Sequence, residues 1–353
     1  MTQAAIEPKP QTLARPRLRW ISPTNRRLLL LLVGLLALFG SVIGSPLFRP
    51  GTWRAMSLQL PQLGLLSLAM MIALLSGGLD LSIIAVADFG AIASAYLLTH
   101  VVPAHPGILA DLAQLGALAA GLLIAVLIGT LNGAIIAFLD VSPILTTLGT
   151  MTLVKGLSVG LTHGGVISGF PPLVLFLANG SVLGIPAPLI ILLLTALPVA
   201  VMLNRSRLGS LIAMIGSNER AVRYSGVDTR RVLVRAYMLS ALLAGLAGVV
   251  MMARFNSANA GYGESYLLVT VLAAVLGGVD PSGGFGRVSG LLIALVILQL
   301  ISTAFNLLGL SEFLTLTIWG ATLVAIAGLG IVRRQLLALI GRTAASRPSR
   351  TSP

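Results

Sequence analysis

Read for the spacing of apolar and polar positions, the chain breaks into long apolar runs separated by short polar or glycine-rich stretches. Inside the runs, apolar residues occupy every side of a helix instead of one stripe at three- and four-residue spacing. A helix that is apolar all round faces lipid or lies within a bundle. The pattern predicts about ten membrane spans, each needing roughly 20 residues. They fall near 28–45, 57–76, 81–99, 112–138, 143–161, 187–204, 235–254, 264–279, 287–308 and 314–332. The expected fold is an all-α integral membrane protein.

Composition agrees with that pattern and narrows the functional classes. Of 353 residues, 9% are charged and 56% hydrophobic, and the mean hydropathy is +0.99. The net charge of +13 does not point to nucleic acid, because most of the basic residues are concentrated in three regions. Arg15, Arg17, Arg19, Arg26 and Arg27 precede the first span, eight arginines lie from Arg205 to Arg254, and Arg333, Arg334, Arg342, Arg347 and Arg350 follow the last span. An even number of expected spans separates the three regions. Under the positive-inside rule all three face the cytoplasm, as do both termini. Segment 162–186, placed on the other side, has no Lys, Arg, Asp or Glu, although Arg49 and Arg54 also fall there. The length of the first apolar run and of the basic tail before it predicts a retained helix, not a cleaved signal. The expected organisation is a basic tail at 1–27, a transmembrane domain at 28–332 with a cytoplasmic loop at 205–235, and a basic tail at 333–353.

Several catalytic classes lack their residues. The zero cysteine count removes disulfides, thiolate metal sites and cysteine nucleophiles. His100, His105 and His163 do not form a metal-binding helix motif, and no metal site is expected. The two lysines, Lys9 and Lys155, are followed by Pro10 and Gly156, so neither belongs to a nucleotide-binding P-loop. The chain is not its own ATPase.

One motif occurs twice. "GGLDLS" at Gly77 to Ser82 returns as "GGVDPS" at Gly277 to Ser282, an offset of 200 residues. Gly77, Gly78, Gly277 and Gly278 are expected to break helices, and matched breaks suggest a pseudo-repeat of two halves. Asp80 or Ser82 can cap the helix that follows. A cap contributes ~0.5–2 kcal/mol, whereas a carboxylate at the bilayer centre costs ~2.5–3.5 kcal/mol on insertion scales. Asp80 is therefore expected near an interface, or facing water or a partner. Asp88, eight residues on, would lie about 80° round the same helix. Lys155 is expected to pair with Asp88 or another carboxylate, or else to snorkel to an interface.

The longest polar loop contains "GSNERAVRYSGVD". Asn218 can cap a short helix there, Ala221, Val222 and Tyr224 can supply apolar contacts, and Gly226 suits its end. Two isolated turns are marginal in water, so packing must hold them.

Together with "SGGLDLS" (76–82), "GTLNGAIIAFLDVSPILTTLGTMTLVKGL" (129–157) and "LAAVLGGVDPSGGFGRVSGLL" (272–292), this loop resembles the membrane permeases of bacterial ribose-, xylose- and galactose-type ABC importers. The resemblance runs over about 55–330. It implies a permease subunit in the inner membrane that imports a monosaccharide or related polyol. It also implies a partner ATPase carrying ATP and Mg, a periplasmic sugar-binding protein, and a second permease copy or paralogue. No cofactor belongs to this chain. By resemblance, Asn218, Glu219, Arg220, Arg223 and Gly226 form the ATPase-coupling segment. Asp80, Ser82, Asp88, Asn132, Thr146, Thr147 and Lys155 are candidates for the translocation pathway. The family commonly carries Arg at the position of Lys155 and a small or apolar residue near Asp88. The alternative is an ion-gradient-driven secondary carrier that uses Asp80, Asp88, Lys155 and Glu264 as a relay.

Overall fold

The structure is a computed structural model and describes residues 22–102, 107–311 and 313–325. The predicted tail 333–353 lies outside the described residues, as does most of 1–27. In chain order the helices are α1 (Pro23–Ile43), α2 (Ser45–Phe48), α3 (Pro50–Leu75), α4 (Ile83–His100), α5 (Ile108–Leu139), α6 (Pro143–Thr162), α7 (Pro172–Asn179), α8 (Ala187–Arg205), α9 (Arg207–Tyr224), α10 (Thr229–Phe255), α11 (Tyr266–Leu276), α12 (Val288–Leu307) and α13 (Phe313–Ala325). Four two-residue strands complete the set: β1 (Ile167–Ser168), β2 (Ser181–Val182), β3 (Ile185–Pro186) and β4 (Ser257–Ala258).

Eight helices are long and apolar enough to cross a membrane, and α11 and α13 are shorter apolar helices. These ten correspond one to one with the ten expected runs. Segment 162–186 is more structured than a plain loop, holding α7 and a β2–β3 hairpin, while β1 pairs with β4 antiparallel. Pro61 does not interrupt its span, because α3 runs through it unbroken. Pro61 is itself buried in the bundle, where neighbouring protein tolerates such a residue.

Two helices occupy the centre. α3 and α10 are mostly buried, whereas α1 at the periphery is mostly exposed. An all-apolar sequence is compatible with either place, and packing decides between them. α10 packs against α5, α3 and α4, and α1 packs along α12. Small residues permit the tightest contact. Gly129 and Gly133, one turn apart on α5, let α10 approach so closely that a Cβ on Gly133 would lie 2.7 Å from the Val234 Cα. Close backbone approach of this kind replaces the hydrophobic effect as the drive for association in lipid.

Gly133→Ala should therefore overpack the α5–α10 contact at a cost of ~1–3 kcal/mol. The expected reading is a lower thermal unfolding midpoint in detergent. Gly116→Ala on the exposed side of α5, where a Cβ meets nothing within 4 Å, should leave the midpoint unchanged.

Candidate functional site

The two glycine motifs adopt the same kind of turn, shifted by one residue: the left-handed glycine is the first of the pair in one motif and the second in the other. α3 ends in a Schellman turn, with Gly77 at φ 82°, its N–H on the Leu74 carbonyl at 2.9 Å and the Gly78 N–H on the Ala73 carbonyl at 3.1 Å. α11 ends likewise, with Gly278 at φ 87°, its N–H on Val275 and the Val279 N–H on Ala274, both at 3.0 Å. Left-handed angles favour glycine, and these bonds satisfy carbonyls that a helix end leaves free. In each motif the aspartate accepts from the backbone two residues on: Asp80 Oδ1 from Ser82 N at 3.0 Å, and Asp280 Oδ1 from Ser282 N at 2.9 Å. The expected cap is thus an Asx turn. Ser82 occupies the N-cap position of α4 but makes no side-chain capping bond.

Asp80 anchors a network that joins four helices. Its Oδ1 also accepts from the Ser82 hydroxyl at 2.6 Å, and its Oδ2 from the Ser240 hydroxyl on α10 at 3.2 Å. Asn132 Nδ2 on α5 donates to Ser82 Oγ at 2.9 Å, and the Thr150 hydroxyl on α6 donates to Asn132 Oδ1 at 2.6 Å. Thr147 Oγ1 lies 3.1 Å from the Leu79 carbonyl and accepts the Leu81 N–H at 3.2 Å. Asp80, Ser82, Asn132 and Thr147 are each no more than 1% exposed. These four pathway candidates hold one another and lie inside the protomer. Thr146 is also buried, and its hydroxyl has no partner among the described residues.

Asp88 and Lys155 lie at a different place. Because α4 begins at Ile83, Asp80 precedes it and the two aspartates share no helical face; Asp88 Oδ2 instead accepts the Gly263 N–H at 3.3 Å. Lys155 on α6 pairs with Glu264, and their side chains are 49% and 53% exposed. α11 has 11 residues and rises about 16 Å, near half the hydrocarbon thickness, so the segment before it reaches membrane depth. Asp88 is five residues into α4, or about 8 Å of rise, which agrees with that placement. Beside Lys155, the side of α6 carrying Leu148, Gly149, Thr152 and Gly156 forms an open groove.

The polar loop is mostly helical. α9 is broken at Asn218 (φ −164°, ψ 91°), whose Oδ1 accepts the Ala221 N–H at 3.0 Å as the cap of a second short helix. Glu219 pairs with Arg223 at 2.6 Å and accepts from the Thr229 hydroxyl at 3.1 Å, and Gly226 follows the helix at φ 80°. Of the three expected apolar contacts only Val222 is buried. Ala221 and Arg220 are exposed, and Tyr224 is 93% exposed.

This short helix springs from a junction made of glycines. Gly216 on α9 packs against the turn after α3 and the turn after α11, and Gly284 N donates to the Leu75 carbonyl at 3.1 Å. A Cβ on Gly216 would lie 2.6 Å from Gly284 N and 3.0 Å from Gly77 N, and would strike the Leu75 carbonyl. Both glycine motifs and the polar loop therefore lie at one end of the bundle, as the alternation of spans requires.

The sequence gives no signal for a cavity of about 630 Å³ between α3, α11, α12 and α13. Its walls include Gln59, Gln62, Gln299, Tyr262, Tyr266 and Trp319. The three glutamines are scattered through apolar runs far apart in the chain.

Asp80→Ala should leave the Ser82 N–H and hydroxyl without their acceptor, at about 1–3 kcal/mol per stranded group, while the Ser240 hydroxyl keeps the Ala69 carbonyl. Asp80→Asn keeps one acceptor oxygen. The expected order of unfolding midpoints in detergent is wild type, then Asn, then Ala.

The model of the branched-chain amino acid transport system permease component family matches residues 55–327. The ribose import permease protein RbsC of Bacillus subtilis (strain 168) is 35% identical over 263 residues, covering 74% of this chain and 79% of that protein. The RbsC of Escherichia coli (strain K12) is 34% identical over 254 residues, covering 70% and 76%. The autoinducer 2 import system permease protein LsrD of Escherichia coli (strain K12) is 29% identical over 291 residues, covering 80% and 85%. No solved structure matches the chain. With most of its length matched and its spans, breaks and polar loop in place, the chain belongs to the branched-chain amino acid transport system permease component family.

Proposed function

We propose that this chain is the permease subunit of an ATP-binding cassette importer in the bacterial inner membrane, with both termini cytoplasmic, carrying a monosaccharide or related polyol inward. The observation that carries the reading is the exposed, capped helix after Asn218, rooted in the glycine junction. Arg220 and Tyr224 point away from the bundle and offer a charge and an aromatic ring to a docked subunit, the kinds of residue that anchor interfaces. ATP and Mg belong to that ATPase, and this chain performs no covalent chemistry. Because Gly216 touches the turns after both α3 and α11, a push on the short helix is delivered to both at once. The helix and the two turns then move as one body.

The ribose-import names of the two RbsC relatives support the substrate class. A periplasmic binding protein delivers the solute. A second permease copy or a paralogue covers the open groove of α6, so that the half-exposed Lys155–Glu264 pair faces an aqueous pathway between the two. Lipid contact would be costly for that pair. Asp80, Ser82, Asn132 and Thr147 set the shape of the wall from behind.

Charge reversal tests the docking role in the reconstituted importer. Glu219→Arg or Arg223→Glu should lower substrate-stimulated ATP hydrolysis by about tenfold, as lost interfacial charge pairs do. The double exchange restores the intrahelical pair, which is worth only ~0.3–0.5 kcal/mol, and should not restore stimulation. Full stimulation in the single variants would remove the docking role. Transport by the chain alone, driven by an ion gradient and indifferent to ATP, would favour the secondary carrier.

Gly216→Val tests the junction. It should abolish stimulation while leaving membrane insertion intact, and undiminished stimulation would show that the junction transmits nothing.

A further inference from the structure

We propose that the cavity between α3, α11, α12 and α13 is a binding site for a small neutral polyhydroxylated solute, held within one protomer and separate from the α6 groove. Three observations carry it. First, the cavity has an unmet polar need. Gln62 is 1% exposed and lines the cavity; its amide nitrogen donates to the Tyr266 hydroxyl, but its Oε1 has no donor among the described residues. That oxygen is turned away from the open part of the cavity, and the cost of a stranded buried acceptor favours rotation of the amide toward a hydroxyl donor in the cavity.

Second, the wall chemistry suits hydroxyl groups and excludes ions. Gln299 Nε2 donates to Gln59 Oε1 at 3.0 Å, so paired amides line the cavity beside the Gln62 amide. Amides both donate and accept, as a sugar hydroxyl does. Among the described residues no Asp, Glu, Lys or Arg lines the cavity, so a charged solute would lose its hydration without gaining a counter-charge from them. Tyr262 stands edge-on to Phe255, with ring centroids 5.2 Å apart, and Trp319 closes the α13 side; such rings can cover the apolar face of a sugar ring.

Third, the place and size are right. About 630 Å³ falls within the range of small-molecule sites and exceeds the needs of a single water. Ser265 and Tyr266, where the short helix α11 begins at membrane depth, line the cavity. Helices that stop within the bilayer commonly present their free N–H groups to such sites. No residue of α6 contributes to the lining, and the inference does not depend on the importer reading.

Trp319 provides a local probe. The sequence has three tryptophans, so Trp20→Phe with Trp53→Phe leaves Trp319 as the only emitter. The full chain in lipid nanodiscs is titrated with D-ribose and xylitol, and with sodium gluconate as the charged counterpart. The expected result is a saturable change in Trp319 emission with at least one neutral polyol and none with gluconate. Gln62→Leu should raise the midpoint by about tenfold or more, as loss of a hydrogen-bonding group does. Ser302→Phe, which fills the cavity from α12, should abolish the response. A flat titration with both polyols overturns the proposal. So does a midpoint that both variants leave unchanged, or a response elicited only by added phospholipid or detergent.

Discussion

Within a bilayer a backbone N–H or carbonyl left unpaired has no water to turn to, and the architecture of this chain depends on that constraint. α3 and α11 stop at glycine turns that close their own carbonyls, each followed by an aspartate that secures the next backbone group. Because Gly77 after α3 and Gly283 and Gly284, farther along the loop after α11, carry no side chain at their closest points, Gly216 of the polar loop fits against both segments. Helix termination, the meeting of distant segments and the base of the short exposed helix are thus consequences of one requirement. The buried Asp80 follows from it too, since its carboxylate holds the turn open at an angle that Ser240, Asn132 and Thr150 then fix.

The same residues explain why some features were legible in the sequence and others were not. The ten apolar runs were readable because lipid demands length and apolarity, and each corresponds to a helix. The Asn218 cap and the Gly226 turn were readable because capping is local chemistry. Which spans are central was not, since α3 and α1 are both apolar all round and differ only in what packs on them. The geometry around Asp80 was half readable. The Asx turn is local, but the partnership with Ser240 lies 160 residues away. The helical-wheel argument for Asp80 and Asp88 failed because α4 begins after Asp80. The glutamine cavity was invisible, because one amide in an apolar run carries no sign of the others it will meet.

The candidates from the sequence separate into two groups once folded. Asp80, Ser82, Asn132 and Thr147 hold α4, α5, α6 and α10 in register from the inside. Lys155 and Glu264 remain half exposed beside the open groove of α6. A wall built this way is stiff behind and polar in front, which suits a pathway that must change shape without losing its lining.

The central claim is that the short helix and the two glycine turns move as one body. The chain has no cysteine, so paired labels can be placed cleanly. Ala221→Cys on the short helix and Phe285→Cys on the loop after α11 both replace exposed side chains. Spin labels at this pair, read by double electron–electron resonance in the assembled importer, should give one distance distribution with and without ATP. A shift between the two conditions at that pair would contradict the account.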